Sequence, residues 1–345
     1  MLFSAAAPYL ATAAADLRRH FPDARVETIG PDVGRIAGPD IDAARLAAEC
    51  RTAPMPFVRH LASEAVRLPS TAVADLPGAA VDLIRGSGDR EPAGTEVALH
   101  VWTSGDAGVR AEAVRAEIAA ALAEGGVATA RGGCAHVIGV CATPGGISLG
   151  VTAAAATLAD WPGGRVILAR PVEQIGRAEW KLEEVFKVFD VPWPPSPERA
   201  LDLGASPGGW TRVLRSRGFE VWAVDPGALH RRVAADPRVH HVATTAGRFL
   251  SQQNLAATEQ GEPRRFDVIV NDMRMVAQRS CRVMVDAARL LVPRGIVVMT
   301  LKVSRPRARH TVSRALAVLE RGYEPLFVRQ LFHNKHEVTV VARRK

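Results

Sequence analysis

Short apolar runs alternate with amphipathic stretches through the second half of the chain. The runs at 200–204, 221–225, 266–272, 295–303, 325–332 and 337–342 have the length and composition of strands. Between most of them lie stretches with helical spacing, at 210–217, 280–291 and 307–321. Strands separated by helices imply parallel βαβ units and a doubly wound, mostly parallel sheet of the α/β class. Ligands on such sheets bind beyond the carboxyl ends of the strands, so those ends carry the chemistry worth reading. Ahead of the sheet, W-K-L-E-E-V-F-K-V-F predicts a helix from Glu173 to Phe189, stopped by Pro192, Pro194, Pro195 and Pro197.

The first half is organised differently. A Pro-, Gly-, Asp- and Ser-dense segment at 69–94 marks a boundary or long loop. Beyond it a strand at 95–103, a helix at 109–123 and a strand at 136–141 predict a small α+β module over 76–165. Residues 1–75 form a second such module, and 161–171, with Gly163 and Gly164, forms a hinge into the domain at 171–345. The apolar start at 2–15 lacks a basic flank and is interrupted by Pro8, so it predicts a strand and helix rather than a secretory signal. No repeat of 20–50 residues appears, and no apolar run reaches the roughly 18–20 residues that span a bilayer. A cytoplasmic location is expected.

Composition changes this picture at one point. With 345 residues, 48% hydrophobic and 23% charged, the chain is an ordinary globular protein of two or three domains. Its net charge of +8 is unevenly placed. Residues 1–170 hold 15 Lys+Arg against 18 Asp+Glu, and residues 171–345 hold 29 against 18, a net of +11. An acidic front and a basic back suggest that the second domain faces a polyanion. Arg231, Arg232, Arg305, Arg307, Arg309 and Arg314 are the candidate contacts. Cys50, Cys134, Cys141 and Cys281 are too few and scattered for a disulfide framework and read as buried thiols.

The first strand end, L-D-L-G-A-S-P-G-G-W-T, selects among nucleotide ligands. Ser206 stands where a dinucleotide fingerprint needs its second glycine. Trp210 stands where a phosphate-binding loop needs lysine, and an indole neutralises no phosphate. What is left is a tight turn for a ligand without phosphates, followed 21 residues after Gly204 by Asp225, which can hold both ribose hydroxyls. That combination describes S-adenosylmethionine. The candidate contacts are Gly204, Ala205, Ser206, Pro207, Gly208, Gly209, Trp210, Asp225 and Asp272.

The chain uses 39 arginines and only five lysines: 181, 187, 302, 335 and 345. Lysine does what arginine cannot, since it can lose its proton. Lys302 ends a strand in M-T-L-K-V, Lys181 lies in the helix before the sheet, and Asp272 ends a strand in V-I-V-N-D-M. The second half resembles the FtsJ-type ribose 2′-O-methyltransferases, whose mark is a Lys-Asp-Lys-Glu tetrad. Lys181, Asp272, Lys302 and Glu337 (in H-E-V-T-V) occur in that family's order and context. Within the family, W-K-L-E-E-V-F-K-V-F, D-L-G-A-S-P-G-G-W-T and R-Q-L-F-H-N-K-H-E-V-T-V are most similar to the RlmM-type enzymes, which methylate a cytidine ribose in large-subunit ribosomal RNA.

The resemblance implies a Rossmann-like domain over 171–345 that uses S-adenosylmethionine. It also implies a ferredoxin-like module at 1–75 and a THUMP-like module at 76–165, carried by R-T-A-P-M-P-F-V-R-H-L-A and the elements at 95–141. Lys302 would be the base, with Lys181 supplying positive charge and Asp272 and Glu337 orienting the lysines and the hydroxyl. Where the family carries an acid near adenine, this chain has Thr245 in H-H-V-A-T-T-A-G. The expected partner is RNA, with no membrane and no metal. His240 and His241 are neighbours on a strand and face opposite sides, and His333 and His336 have only Glu337 at ligand spacing. Two other readings compete, a small-molecule O-methyltransferase and a non-catalytic RNA-binding protein; a self-resistance enzyme acting on ribosomes is a variant of the ribosomal RNA reading.

Overall fold

A computed structural model describes residues 1–86, 96–169, 174–196, 198–260 and 264–345. The chain divides into two units, Met1–Ile167 and Leu168–Lys345. Glu173, Pro197, the end of the 69–94 segment, the first residue of the strand read at 95–103 and residues 170–171 of the hinge lie outside the described residues.

The first unit holds two sheets. Strands β1 (Leu2–Ser4), β2 (Arg25–Thr28), β3 (Val33–Ala37) and β4 (His60–Ala62) lie in the order β2-β3-β1-β4, every pair antiparallel. Helix α1 (Leu10–His20) links β1 to β2, and α2 (Ala43–Thr52) links β3 to β4, which is a split βαβ connectivity. In α1 the residues Leu10, Ala13, Ala14 and Leu17 recur at one-turn spacing and are all buried, which is why this stretch folds as an amphipathic helix. The second sheet has the order β5-β9-β8-β6-β7. Its strands are β5 (Val66–Leu68), β6 (Glu96–Thr103), β7 (Ala128–Ala130), β8 (His136–Thr143) and β9 (Gly146–Ala153), with α3 (Leu76–Gly86) and α4 (Ala111–Glu124) between them.

The second unit is a seven-stranded sheet in the order β12-β11-β10-β13-β14-β16-β15. Its strands are β10 (Arg199–Leu203), β11 (Glu220–Val224), β12 (Val239–Val242), β13 (Phe266–Asn271), β14 (Leu291–Lys302), β15 (Tyr323–Arg329) and β16 (Glu337–Arg344). Only β16 pairs antiparallel with its neighbours; the pairs from β12 through β14 are parallel. Helices α5 (Glu179–Val188), α6 (Gly209–Ser216), α7 (Arg231–Ala234), α8 (Ala246–Gln260), α9 (Ala277–Ala287) and α10 (Ala308–Leu319) connect or cover the strands. The central strands are apolar through their middles, as in sheets covered on both faces: Val268, Ile269, Val270, Val297, Val298 and Met299 are fully buried. Strand order reverses between β10 and β13, so a crevice opens at their carboxyl ends.

The doubly wound reading holds, with shifted edges. The run read from Gly295 begins instead at Leu291, and a register irregularity opposite Phe266 and Val268 absorbs Pro293 and Gly295. The helix read at 280–291 spans Ala277–Ala287, and α8 occupies a stretch in which no helix was read. Three of the four thiols are buried as expected, whereas Cys134 is partly exposed.

Candidate functional site

Two structures meet at the carboxyl edge of the sheet, a cleft and a cluster of four charges. The cleft begins where β10 ends. Gly204 has φ +83°, and a Cβ there would sit 2.3 Å from Cγ of Met273, so only glycine lets the two loops close on each other. A cleft of about 400 Å³ follows, lined by Gly204, Ala205, Ser206, Pro207, Gly209 and Trp210 on one side and by Asp225, Asp272, Met273 and Arg274 around it. That volume suits a nucleoside-sized ligand. Asp225 accepts a hydrogen bond from the Gly227 amide at 2.7 Å, which fixes its carboxylate at the end of β11.

Gly208 and Thr245 are not among the lining residues. Gly208 takes a left-handed φ of +108° with Val233 beneath its Cβ position, so it shapes the turn from behind. Thr245 Oγ1 accepts from the Arg248 amide at 3.3 Å and so serves the start of α8. Asp202 and Ala178 do line the cleft, though sequence reading singled out neither. Asp202 is buried, accepts from Thr211 Oγ1 at 2.7 Å, and burial pushes its pKa up to about 7.

Replacing Gly204 by alanine combines a left-handed backbone with a clash, so its expected cost is about 1–3 kcal/mol. S-adenosylmethionine affinity should drop by at least about tenfold, measured by calorimetry beside a thermal melt. Unchanged affinity would show that this turn does not shape the cleft.

The charge cluster is drawn from four elements. Lys181 on α5 places Nζ 3.1 and 2.9 Å from the two carboxylate oxygens of Asp272 and 2.7 Å from Glu337 Oε2. Lys302, the last residue of β14, donates to Asp272 Oδ1 at 2.6 Å, to Thr300 Oγ1 at 2.7 Å and to Glu337 Oε1 at 3.0 Å. Lys302 and Glu337 are direct cross-strand partners in the antiparallel β14–β16 pair, which is what brings the two together. All four side chains are between 13% and 21% exposed, so both lysines face the cluster rather than open water.

The electrostatics follow from this packing. Burial works against charge on Lys181, but the Asp272 and Glu337 carboxylates outweigh it and hold its pKa above the ordinary lysine value. Burial likewise opposes charge on Asp272, and the Lys302 and Lys181 ammonium groups prevail, holding its pKa below the usual carboxylate range. Two cations and two anions thus balance each other at the rim of the cleft.

Local interactions aim these parts. The Trp210 indole N–H donates to the Ala178 carbonyl at 2.8 Å, tying the glycine turn to the start of α5. Buried Glu179 accepts from the Ile175 and Gly176 amides and from Arg212 on α6, anchoring the same helix end. Buried Asn271 donates to Ser280 Oγ and accepts from the Met273 amide, so Asp272 projects from a braced loop. Glu184, one turn beyond Lys181, accepts from the Phe332 and His333 amides and lies 2.8 Å from His333 Nδ1. His333 thus has a carboxylate partner, Glu184, that lies far away in sequence. His240 lies 2.7 Å from Glu220, and His241 lies 3.1 Å from the Asp225 carbonyl. Among the described residues no group of three or more His, Cys, Asp or Glu is arranged to hold a metal.

Residues 175–341 match the FtsJ-like methyltransferase family model. A ribosomal RNA large subunit methyltransferase M from Halorhodospira halophila is 35% identical over 188 residues, covering 53% of this chain and 51% of the relative. Its namesake from Alkalilimnicola ehrlichii is 34% identical over 206 residues, covering 56% and 52%. The chain thus aligns with about half the length of these relatives. TrmN from Thermus thermophilus aligns over 100% of this chain and 99% of its own at a TM-score of 0.37 and 16% identity, too distant a likeness to add weight. Residues 175–341 are thus similar to the FtsJ-like methyltransferases, whose family model that stretch matches.

Proposed function

We propose that this protein transfers a methyl group from S-adenosylmethionine to a ribose 2′-hydroxyl of RNA, a cytidine of large-subunit ribosomal RNA being the substrate. The observation that carries the reading is a four-charge cluster at the edge of a nucleoside-sized cleft, with Lys302 bonded to both carboxylates of the cluster. Gly204, Ala205, Ser206, Pro207, Gly209, Trp210 and Asp225 would hold the cofactor, which supplies an electrophilic sulfonium methyl. The glycine turn contains no lysine for a phosphate, and Asp225 offers a carboxylate for ribose hydroxyls.

A ribose hydroxyl is a poor nucleophile until its proton is removed or its lone pair is aimed. Lys302 serves as the base, and Asp272 and Glu337 orient it while Lys181 balances their charge. General-base help contributes about 10²–10⁴-fold, and alignment of the reacting atoms supplies much of the remainder. The split βαβ unit at the front is read as ferredoxin-like and the five-stranded sheet after it as THUMP-like.

Arg231, Arg232, Arg305, Arg307, Arg309 and Arg314 are all exposed. Affinity for single-stranded RNA should fall with salt, at a log–log slope of about −0.7 per phosphate contact. Affinity that stays flat from low to high salt would remove RNA as the partner. The functional test is mass-spectrometric mapping of ribose methylation in ribosomal RNA from cells with and without the gene. One 2′-O-methyl site should vanish on deletion and return with the wild-type chain; an unchanged map would overturn the reading.

A further inference from the structure

Three acceptors surround the Lys302 amine, and only two of them are carboxylates. The third is Thr300 Oγ1, 2.7 Å from Nζ. Thr300 is two residues upstream on β14, so its side chain leaves the same face of the sheet as that of Lys302. It is fully buried. Its hydroxyl proton is already committed, since Oγ1 donates to Asp272 Oδ1 at 2.5 Å. Only a lone pair of Thr300 is therefore turned toward the lysine.

The arithmetic of donors gives this arrangement a purpose. An ammonium has three N–H donors, and Asp272, Glu337 and Thr300 match all three. A neutral amine has two N–H donors and one lone pair, so an arriving ribose hydroxyl must take the place of one of the three contacts while the other two keep the nitrogen in position. Thr300 is a fixed contact, because its short bond to Asp272 stops the hydroxyl from turning its own proton toward the amine.

We infer that Thr300 is a positioning residue for Lys302: its hydroxyl, locked onto Asp272, serves as a third acceptor that holds Lys302 Nζ in one place beside the cleft. This rests on the proposed methyl transfer. The proton leaves the ribose oxygen for Lys302 Nζ as the new O–CH3 bond forms and the S–CH3 bond of the donor breaks. Thr300 gains and loses no proton in that step. Thr300 contacts Asp272 after β13 and Lys302 of β14, and these in turn pair with Lys181 of α5 and Glu337 of β16.

Two substitutions separate the hydroxyl from the packing. Thr300→Val keeps the branched shape and deletes the oxygen, whereas Thr300→Ser keeps the oxygen and deletes the methyl. The full-length chain is assayed for turnover on ribosomal RNA from cells lacking the gene, with S-adenosylmethionine binding followed by calorimetry and folding by thermal melt. Thr300→Val should lower kcat by about 10- to 100-fold, the worth of one hydrogen bond to a charged group, with cofactor affinity unchanged. Thr300→Ser should stay within about threefold of wild type, since it retains that bond. Equal damage in both variants, or none in Thr300→Val, overturns the inference while the wild type remains active. A wild-type chain that leaves RNA unmethylated instead overturns the functional reading, and this inference with it.

Discussion

Replacing Lys302 by alanine should lower methyl transfer by about 10²–10⁴-fold, the range of a lost general base, while S-adenosylmethionine still binds. The side chain touches Asp272, Thr300 and Glu337 but is not among the residues that line the cleft, so its loss leaves the cleft's own lining in place. Lys302→Arg should be as inactive as the alanine variant. Its guanidinium keeps its proton at any working pH and is planar, whereas the three acceptors here surround a single tetrahedral nitrogen. Single-turnover methylation beside calorimetric titration of the cofactor decides the matter. Turnover within a few-fold of wild type in either variant would remove Lys302 from the chemistry.

Asp272→Asn should have the second large effect, and it reaches stability as well as rate. Asp272 is the hub of the cluster, accepting from Lys181, Thr300 and Lys302. With an amide there, two ammonium groups share the single carboxylate of Glu337. Removing one partner from a largely buried ion pair costs about 3–5 kcal/mol. Methyl transfer should fall by at least about 10²-fold, because both lysines lose their orientation.

The pH dependence has a definite sign. The folded-state pKa of Asp272 lies below the ordinary value of 3.8, so below that value the unfolded chain binds the proton more readily. Its contribution is therefore complete above pH of about 4 and is lost as acid carries the pH down through the lower folded value. Urea unfolding of wild type and Asp272→Asn should show a constant gap at neutral pH that narrows on acidification. A gap that widens in acid would mean that Asp272 is not held as a carboxylate by the two lysines.

How much of this could be seen in the sequence depended on whether the signal was local. The strands betray themselves because their residues are buried on both faces, so 266–272 and 295–303 are nearly continuous apolar runs. The glycine turn was legible for a similar reason, since Gly204 answers a need of its own backbone. Helix α8 was not, because A-G-R-F-L-S-Q-Q-N-L lacks a sustained apolar stripe. Lys181 and Lys302 stood out because lysine is scarce and Asp272 because it ends a strand, but only family resemblance joined them with Glu337, since no spacing rule links residues up to 156 positions apart.

Thr300, Asp202 and Met273 escaped notice because their importance lies in what they touch. A threonine inside M-T-L-K reads as an ordinary strand residue until its hydroxyl is seen against Asp272. Thr245 erred in the other direction. Its position in the family pattern points to adenine, yet its hydroxyl receives the Arg248 amide.

The reversed direction of β16 has one more consequence. Because that strand runs against β14, its first residue, Glu337, meets the last residue of β14, and the constellation closes only when the sheet receives this insertion between β14 and β15. During synthesis on a ribosome, the glycine turn and both lysines emerge well before Glu337 does. On the proposed function, a growing chain would acquire the donor pocket before it acquires a complete proton-handling centre, so competence to react would report that the sheet has finished assembling.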